Sequence, residues 1–193
     1  FPSGVAAKQL SLCAFIADAD MIINLPKLKT HGMMLYTGAV KNLFGAIPGT
    51  VKVEYHYRMP NHSEFANMLV DICEYLQPTV TLMDAIMGME GDGPSAGDVR
   101  PIGALLASRD PYALDVCAAS IILSDPLSAY TVQAAADRKL CPPSVAGVEL
   151  VGDDYAPLHI DDFKLPKSQE VPLLEKRVPR FAAKLAQRYL QPR

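Results

Sequence analysis

The chain contains no Trp, and its four Cys lie far apart. Cys13, Cys73, Cys117 and Cys141 form no C-x-x-C pair, so no local zinc or iron–sulfur motif is present and the composition is not that of a disulfide scaffold. Long apolar runs are missing too. None approaches the roughly 20 residues a bilayer span needs, which predicts no membrane span. There is no excess of positive charge: 18 Lys and Arg face 21 Asp and Glu, for a net −3. That balance argues against a nucleic-acid partner. Several catalytic signatures are also absent. No Gly-x-Ser-x-Gly elbow occurs, and no Gly-Lys-Ser/Thr closes a phosphate loop. The stretch from Gly91 to Gly97 is one residue too long for Gly-x-Gly-x-x-Gly, and Pro94 interrupts it. His31, His56, His62 and His159 fall on separate segments without an H-x-x-x-H pair. The chain starts at Phe1 with no charged n-region, so a signal peptide is not visible and the expected placement is cytoplasmic.

What is present is enough hydrophobic residue, 50% of 193, to bury one core. Short apolar runs at 8–12 and 21–25, at 79–84, 102–107 and 147–151 read as strands. Helices are expected over 33–46, 61–77, 111–124 and 127–138. The second has Phe65, Met68, Leu69, Ile72 and Leu76 on one face, an Asn61/Glu64 capping box and a Pro78 stop. Asp110-Pro111 caps the third, which is apolar nearly all round and should be buried. Pro48-Gly49 is read as the end of the first. Alternating strands and helices predict an α/β layered domain, with a mostly parallel sheet flanked by helices. Residues 1–163 form this acidic body. Residues 164–193 carry eight Lys or Arg against two acids and form a basic tail, with Phe181, Leu185 and Tyr189 on one face of a C-terminal helix.

Three polar segments follow predicted strands, where α/β sheets place their sites. In Pro26-Lys27-Leu28-Lys29-Thr30-His31, the alternation puts Lys27, Lys29 and His31 on one side of an extended stretch. Lys41 and Asn42 add donors a short way on. Clustered cations suit a small anionic ligand such as a phosphate or carboxylate; a solvated basic turn is the plainer reading. In Asp84 to Asp98, glycines such as Gly91 and Gly93 let backbone approach a ligand. Asp84, Glu90, Asp92 and Asp98, with His56, offer oxygen and imidazole ligands to a divalent metal, against an ordinary surface turn. Asp115 sits in the most apolar helix, where a carboxylate needs partners: either hydrogen bonds from a facing loop or a lysine.

These segments carry a resemblance. Ile23 to Gly49, the Met89-Glu90-Gly91-Asp92-Gly93-Pro94 loop and Ser108-Arg109-Asp110-Pro111-Tyr112-Ala113-Leu114-Asp115 together resemble the bacterial and archaeal family called domain of unknown function 362. The similarity covers roughly residues 8–152 with its motifs in the family's order. Leu140-Cys141-Pro142-Pro143 departs from it, standing where members often have a Gly-rich turn. The family has no established reaction. The resemblance implies a ferredoxin-like domain with 4Fe-4S clusters following the basic tail, outside these residues. It also implies further α/β chain ahead of Phe1, so that the sequence is a fragment of a longer domain.

Two functions are therefore expected. One is a ligand-binding, redox-linked enzyme domain of an iron–sulfur protein. In it His31 and Lys29 are catalytic, His31 as general acid or base. Lys27, Thr30, Lys41, Asn42, Gly91, Gly93 and Asp115 bind the ligand, and the acidic loop closes over it with or without the metal. The other is a non-catalytic scaffold presenting an electron-transfer module to a partner.

Overall fold

The computed structural model describes residues 1–167; the basic tail and its expected helix lie outside them, apart from residues 164–167. The sheet is built around one long strand, β4 (Val80–Glu90). The short β1 (Ile23–Asn24) and β2 (Lys27–His31) pair in parallel with it, one after the other. Leu25-Pro26 separates these two, and the Pro26 carbonyl still accepts from Asp84 N–H at 3.0 Å. β3 (Leu35–Thr37) returns antiparallel to β2, and β5 (Asp98–Ser108) runs antiparallel along β4. The result is a mixed five-stranded sheet in a layered α/β domain.

Among the described residues five helices accompany it: α1 (Ala39–Asn42), α2 (Gly49–Arg58), α3 (His62–Leu76), α4 (Pro111–Ile122) and α5 (Tyr130–Asp137). α4 packs against the sheet. Every residue of it but Ala113 and Ser120 is buried, and its Val116, Ala119 and Ile121 share one core with Leu28, Met83 and Ala85. A second core joins α3 to α1, α5 and the N-terminal segment through Phe65, Leu69, Ile72, Phe44 and Ile47. The opposite sheet face carries exposed apolar side chains among the described residues. Ile23, Leu82 and Leu105 lie on it and are exposed.

The caps read from the sequence form. Asn61 Oδ1 accepts from Glu64 N–H at 2.7 Å, and Gln77 closes α3 in the left-handed region. Asp110 Oδ1 accepts from Tyr112 and Ala113 N–H. Other expectations need correction. Residues 8–12 are not a strand, because the neighbouring N–H groups of Val5, Ala6 and Ala7 are taken by the Asp71 carboxylate instead of a ladder. No strand forms at 147–151, where a single tight turn leaves Leu150 and Val151 exposed. The helix expected over 33–46 is a β2–β3 hairpin, then α1 and a 3-10 turn over Leu43–Ala46. His31 causes the change: its Nδ1 accepts the N–H groups of Met33 and Met34 and turns the chain. Pro48-Gly49 opens α2, since the N–H that Pro lacks is one that a helix start leaves without an intrahelical partner in any case. β4 continues to Glu90, well into the expected loop, because β5 supplies a partner all the way to Asp98.

Candidate functional site

β2 sorts its residues by alternation. Leu28 and Thr30 are buried, while Lys27, Lys29 and His31 stay partly open on the other side. Lys27 lies directly across from Asp84, and its Nζ donates to Asp84 Oδ2 at 2.7 Å. That hydrogen bond, helped by Ile86 N–H, holds the Asp84 carboxyl below the ordinary range. Both groups are half-exposed, so this is a surface pair. Lys27 and Asp84 thus satisfy one another. Neither the ligand-binding role expected of Lys27 nor the metal-binding role expected of Asp84 has a free group behind it here.

Lys29 and His31 are different. Lys29 Nζ donates to the Pro94 carbonyl at 3.2 Å and meets no carboxylate within ion-pair reach among the described residues. His31 is pushed down to about 3 by burial, then by Lys41, His56 and Lys29. It is neutral, and its Nδ1 lone pair already faces two backbone N–H groups at 3.2 Å. Nε2–H is then the free atom, so His31 can donate a hydrogen bond but offers no lone pair to act as a base. Burial likewise pushes Lys41 down to about 8, with Lys29 and Lys52 adding repulsion. Lys52, on α2, holds its Nζ 5.6 Å from the centre of the Phe44 ring. His56 packs on Phe44 and Phe65, and its Nδ1 lies 2.7 Å from the Lys52 carbonyl. Lys29, Lys41 and Lys52, with His31 and His56 among them, therefore form one lysine-rich cluster from β2, α1 and α2. Among the described residues none of its lysines is paired with an acid.

The Gly-rich loop does meet β2, as the placement after strands implied. Thr30 Oγ1 donates to the Gly91 carbonyl at 2.8 Å, and Gly32 N–H donates to the Gly93 carbonyl at 3.0 Å. A Cβ at Gly93 would collide with the Thr30 carbonyl, which explains the glycine there. Gly91 takes φ +75, a conformation glycine adopts without strain. Thr30, expected to touch ligand, is instead buried as the fastening of this loop.

The acidic side chains of the loop do not converge. Glu90 is buried and accepts from Lys164 N–H at 3.1 Å, with Arg100 and the Lys164 ammonium near it. Asp92 is exposed, Asp84 holds Lys27, and His56 sits with the cations. Among the described residues no three His, Cys, Asp or Glu side chains are grouped to hold a metal ion. The set Asp84, Glu90, Asp92 and His56 is thus not brought together.

Asp115 resolves in favour of backbone partners. Its Oδ1 accepts from Ala39 N–H at 2.6 Å and Tyr36 Oη–H at 3.0 Å, and its Oδ2 accepts from Val40 N–H at 3.0 Å. It closes the start of α1 from another element and is not open to a ligand. Burial nevertheless raises it to about 6. Gly38 is required beside it, because a Cβ there would strike Asp115 and Tyr36. Asn24 Nδ2 holds the Ala39 carbonyl at 2.9 Å, and Asn42 Nδ2 donates to Asn24 Oδ1 at 2.8 Å. Asn42 is otherwise exposed beside Lys41.

Two participants were not anticipated. Lys52 joins the cluster only because α2 folds back, and its sole signal was another Lys downstream of Lys41. Asp71 anchors the N-terminal segment through three N–H groups and pairs with Arg138 at 2.8 Å. A polar residue on the apolar α3 pattern was the available signal.

The chain belongs to the DUF362 family, a domain of unknown function, whose family model matches residues 1–120. It is also similar to the thylakoid-associated protein sll1697 of Synechocystis sp., with 39% identity over 151 residues. That match covers 78% of this chain and 47% of the relative, so the chain spans about half the relative's length. No solved structure matches.

Proposed function

We propose that this domain binds a small anion over Lys29, His31 and Lys41, with Lys52 at the rim and the Gly-rich loop beside Lys29. One observation carries the reading. Among the half-buried cations of the described residues, Lys27, Arg100 and Arg138 each meet a carboxylate, whereas Lys29, Lys41 and Lys52 meet none. Burial first, and the neighbouring charges second, depress Lys41 and His31, and an anion would relieve the repulsive part. His31 contributes an Nε2–H donor, and Lys29 and Lys41 contribute charge.

Thermal unfolding with phosphate, oxalate and citrate tests this. A bound anion at a hundred times its Kd should raise the Tm by about 5 °C. The shift should vanish in a Lys29→Ala/His31→Ala double variant. Equal shifts in both proteins would overturn the site.

The redox link is part of the same proposal and rests on the family resemblance. Iron in the longer polypeptide, measured by elemental analysis, would support an adjoining ferredoxin-like module. The cytoplasmic placement is supported by four free cysteines, which suit a reducing compartment. Among the described residues no helix is long and apolar enough to cross a membrane. Recovery in a membrane fraction, in keeping with the name of the cyanobacterial relative, would overturn that placement.

A further inference from the structure

We propose that the open face of the sheet, over β4 and β5, is the docking site of this chain's own residues 168–193.

The face has the chemistry of a covered surface. On β5 the alternation is complete. Ile102, Ala104 and Leu106 join the core shared with α4, while Val99, Pro101, Gly103, Leu105 and Ala107 on the other side are all exposed. Across the ladder, Leu82 lies beside Ala107 and Met87 beside Pro101, and both are exposed too. Among the described residues Asp84 is the one charged side chain on this side of the two strands, and Lys27 neutralises it. An antiparallel pair with one face in water reads hydrophobic-in and polar-out, whereas strands covered on both faces read as near-continuous apolar runs. β4 and β5 follow the second pattern.

Three features select the occupant. First, the chain is delivered to the sheet. Lys164 N–H donates to Glu90 Oε2 at 3.1 Å, and the Lys164 carbonyl accepts from Gly91 N–H at 2.6 Å, so the chain is tied to the end of β4 shortly before residue 168. Second, the length suffices. Residues 168–179 reach at most about 40 Å when extended, and passing from one face of a sheet to the other takes only about 10 Å. Third, the dimensions match. The helix expected from Phe181, Leu185 and Tyr189, behind Pro179, would be about 21 Å long over residues 180–193 and about 10 Å wide. The apolar strip from Val99 to Ala107 is about 27 Å long, and two strands are about 10 Å across. One amphipathic helix therefore covers it. Charge favours the same pairing: residues 168–193 carry six Lys or Arg against two Glu, whereas residues 1–163 carry nineteen acids against ten bases.

The experiment uses the whole chain. Leu105→Asp should lower the Tm by about 4 °C or more, although Leu105 touches solvent within the described residues. Phe181→Asp/Leu185→Asp should lower it by a similar amount. Combining the two sets should lower it little further, because one contact is lost once. In the wild type, NMR should find NOEs from the Phe181 and Tyr189 rings to the Leu82 and Leu105 methyl groups. Mixing labelled and unlabelled chains should show that they arise within one molecule. A Tm that Leu105→Asp leaves unchanged within about 1 °C means an open face and would overturn the proposal. So would additive losses, or a loss from Leu105→Asp with none from the tail variant. NOEs found only between chains, with a dimer mass by light scattering that Leu105→Asp reduces, would assign the face to a second copy instead. The wild-type NOEs carry the test where a variant does not fold.

Discussion

Two regions of this domain handle buried charge in opposite ways. Behind α3 and α4, Asp71 and Asp115 are each enclosed by donors: backbone N–H groups with Arg138 for one, backbone N–H groups with a tyrosine for the other. At the junction of β2, α1 and α2, like charges are gathered and left without carboxylates among the described residues. The first arrangement fastens segments distant in sequence. The second lowers stability locally, and that cost is the ground for the anion site proposed there.

The contrast is testable by breaking each side. The largest effect is expected from Asp115→Ala, which strands Ala39 and Val40 N–H and the Tyr36 hydroxyl; urea unfolding should read a loss of about 3–5 kcal/mol. Asp71→Ala should cost about 2–4 kcal/mol, since Arg138 loses its carboxylate but keeps Asn67. Lys41→Met should go the other way, changing stability by under about 1 kcal/mol or raising it, because it removes repulsion while keeping the apolar stem. An NMR titration of the same variant should find His31 titrating at higher pH than in the wild type. The smallest effect is expected from Lys27→Ala, within about 1 kcal/mol, as for other exposed pairs.

The pH dependence sharpens the comparison further. Lys41 binds its proton less tightly when folded, near 8 against 10.5. Between those values the unfolded chain holds the extra proton, so its contribution to stability rises as pH rises from 8. Lys41→Met should abolish that rise in urea melts at pH 7, 9 and 10. His31 gives the same sign at acid pH: its contribution falls as pH falls from 6.5 toward 3. Asp115 gives the opposite sign. Its folded value of about 6 lies above 3.8, so protonation on descending through that window favours the folded chain.

Much of the frame was legible. α3 and α4 announce themselves through Asn61 and Asp110, because caps are local chemistry and survive any tertiary context. The meeting of the Lys/His strand with the Gly-rich loop was legible from their positions after strands. The hairpin at residues 31–37 was not, since a histidine ring accepting two backbone N–H groups leaves no periodic trace. Nor was the pairing of Lys27 with Asp84, which a parallel register brings together across 57 residues. Lys52 escaped notice because Pro48-Gly49 reads equally well as a stop or a start, and only the packing of Phe44 against Tyr55 and His56 decides between them.

β4 also has a consequence for how the chain reaches this state. It joins β5 through one short connection, while β1 and β2 must find it from before α3. Loop closure favours the near partner, so the β4–β5 hairpin is expected to be ordered in the folding transition state and β2 to add late. Substitutions in the hairpin such as Leu106→Ala should slow refolding, and Leu28→Ala on β2 should mainly speed unfolding. The cationic strand then arrives on a finished platform, and its last contacts to form are also the first to open.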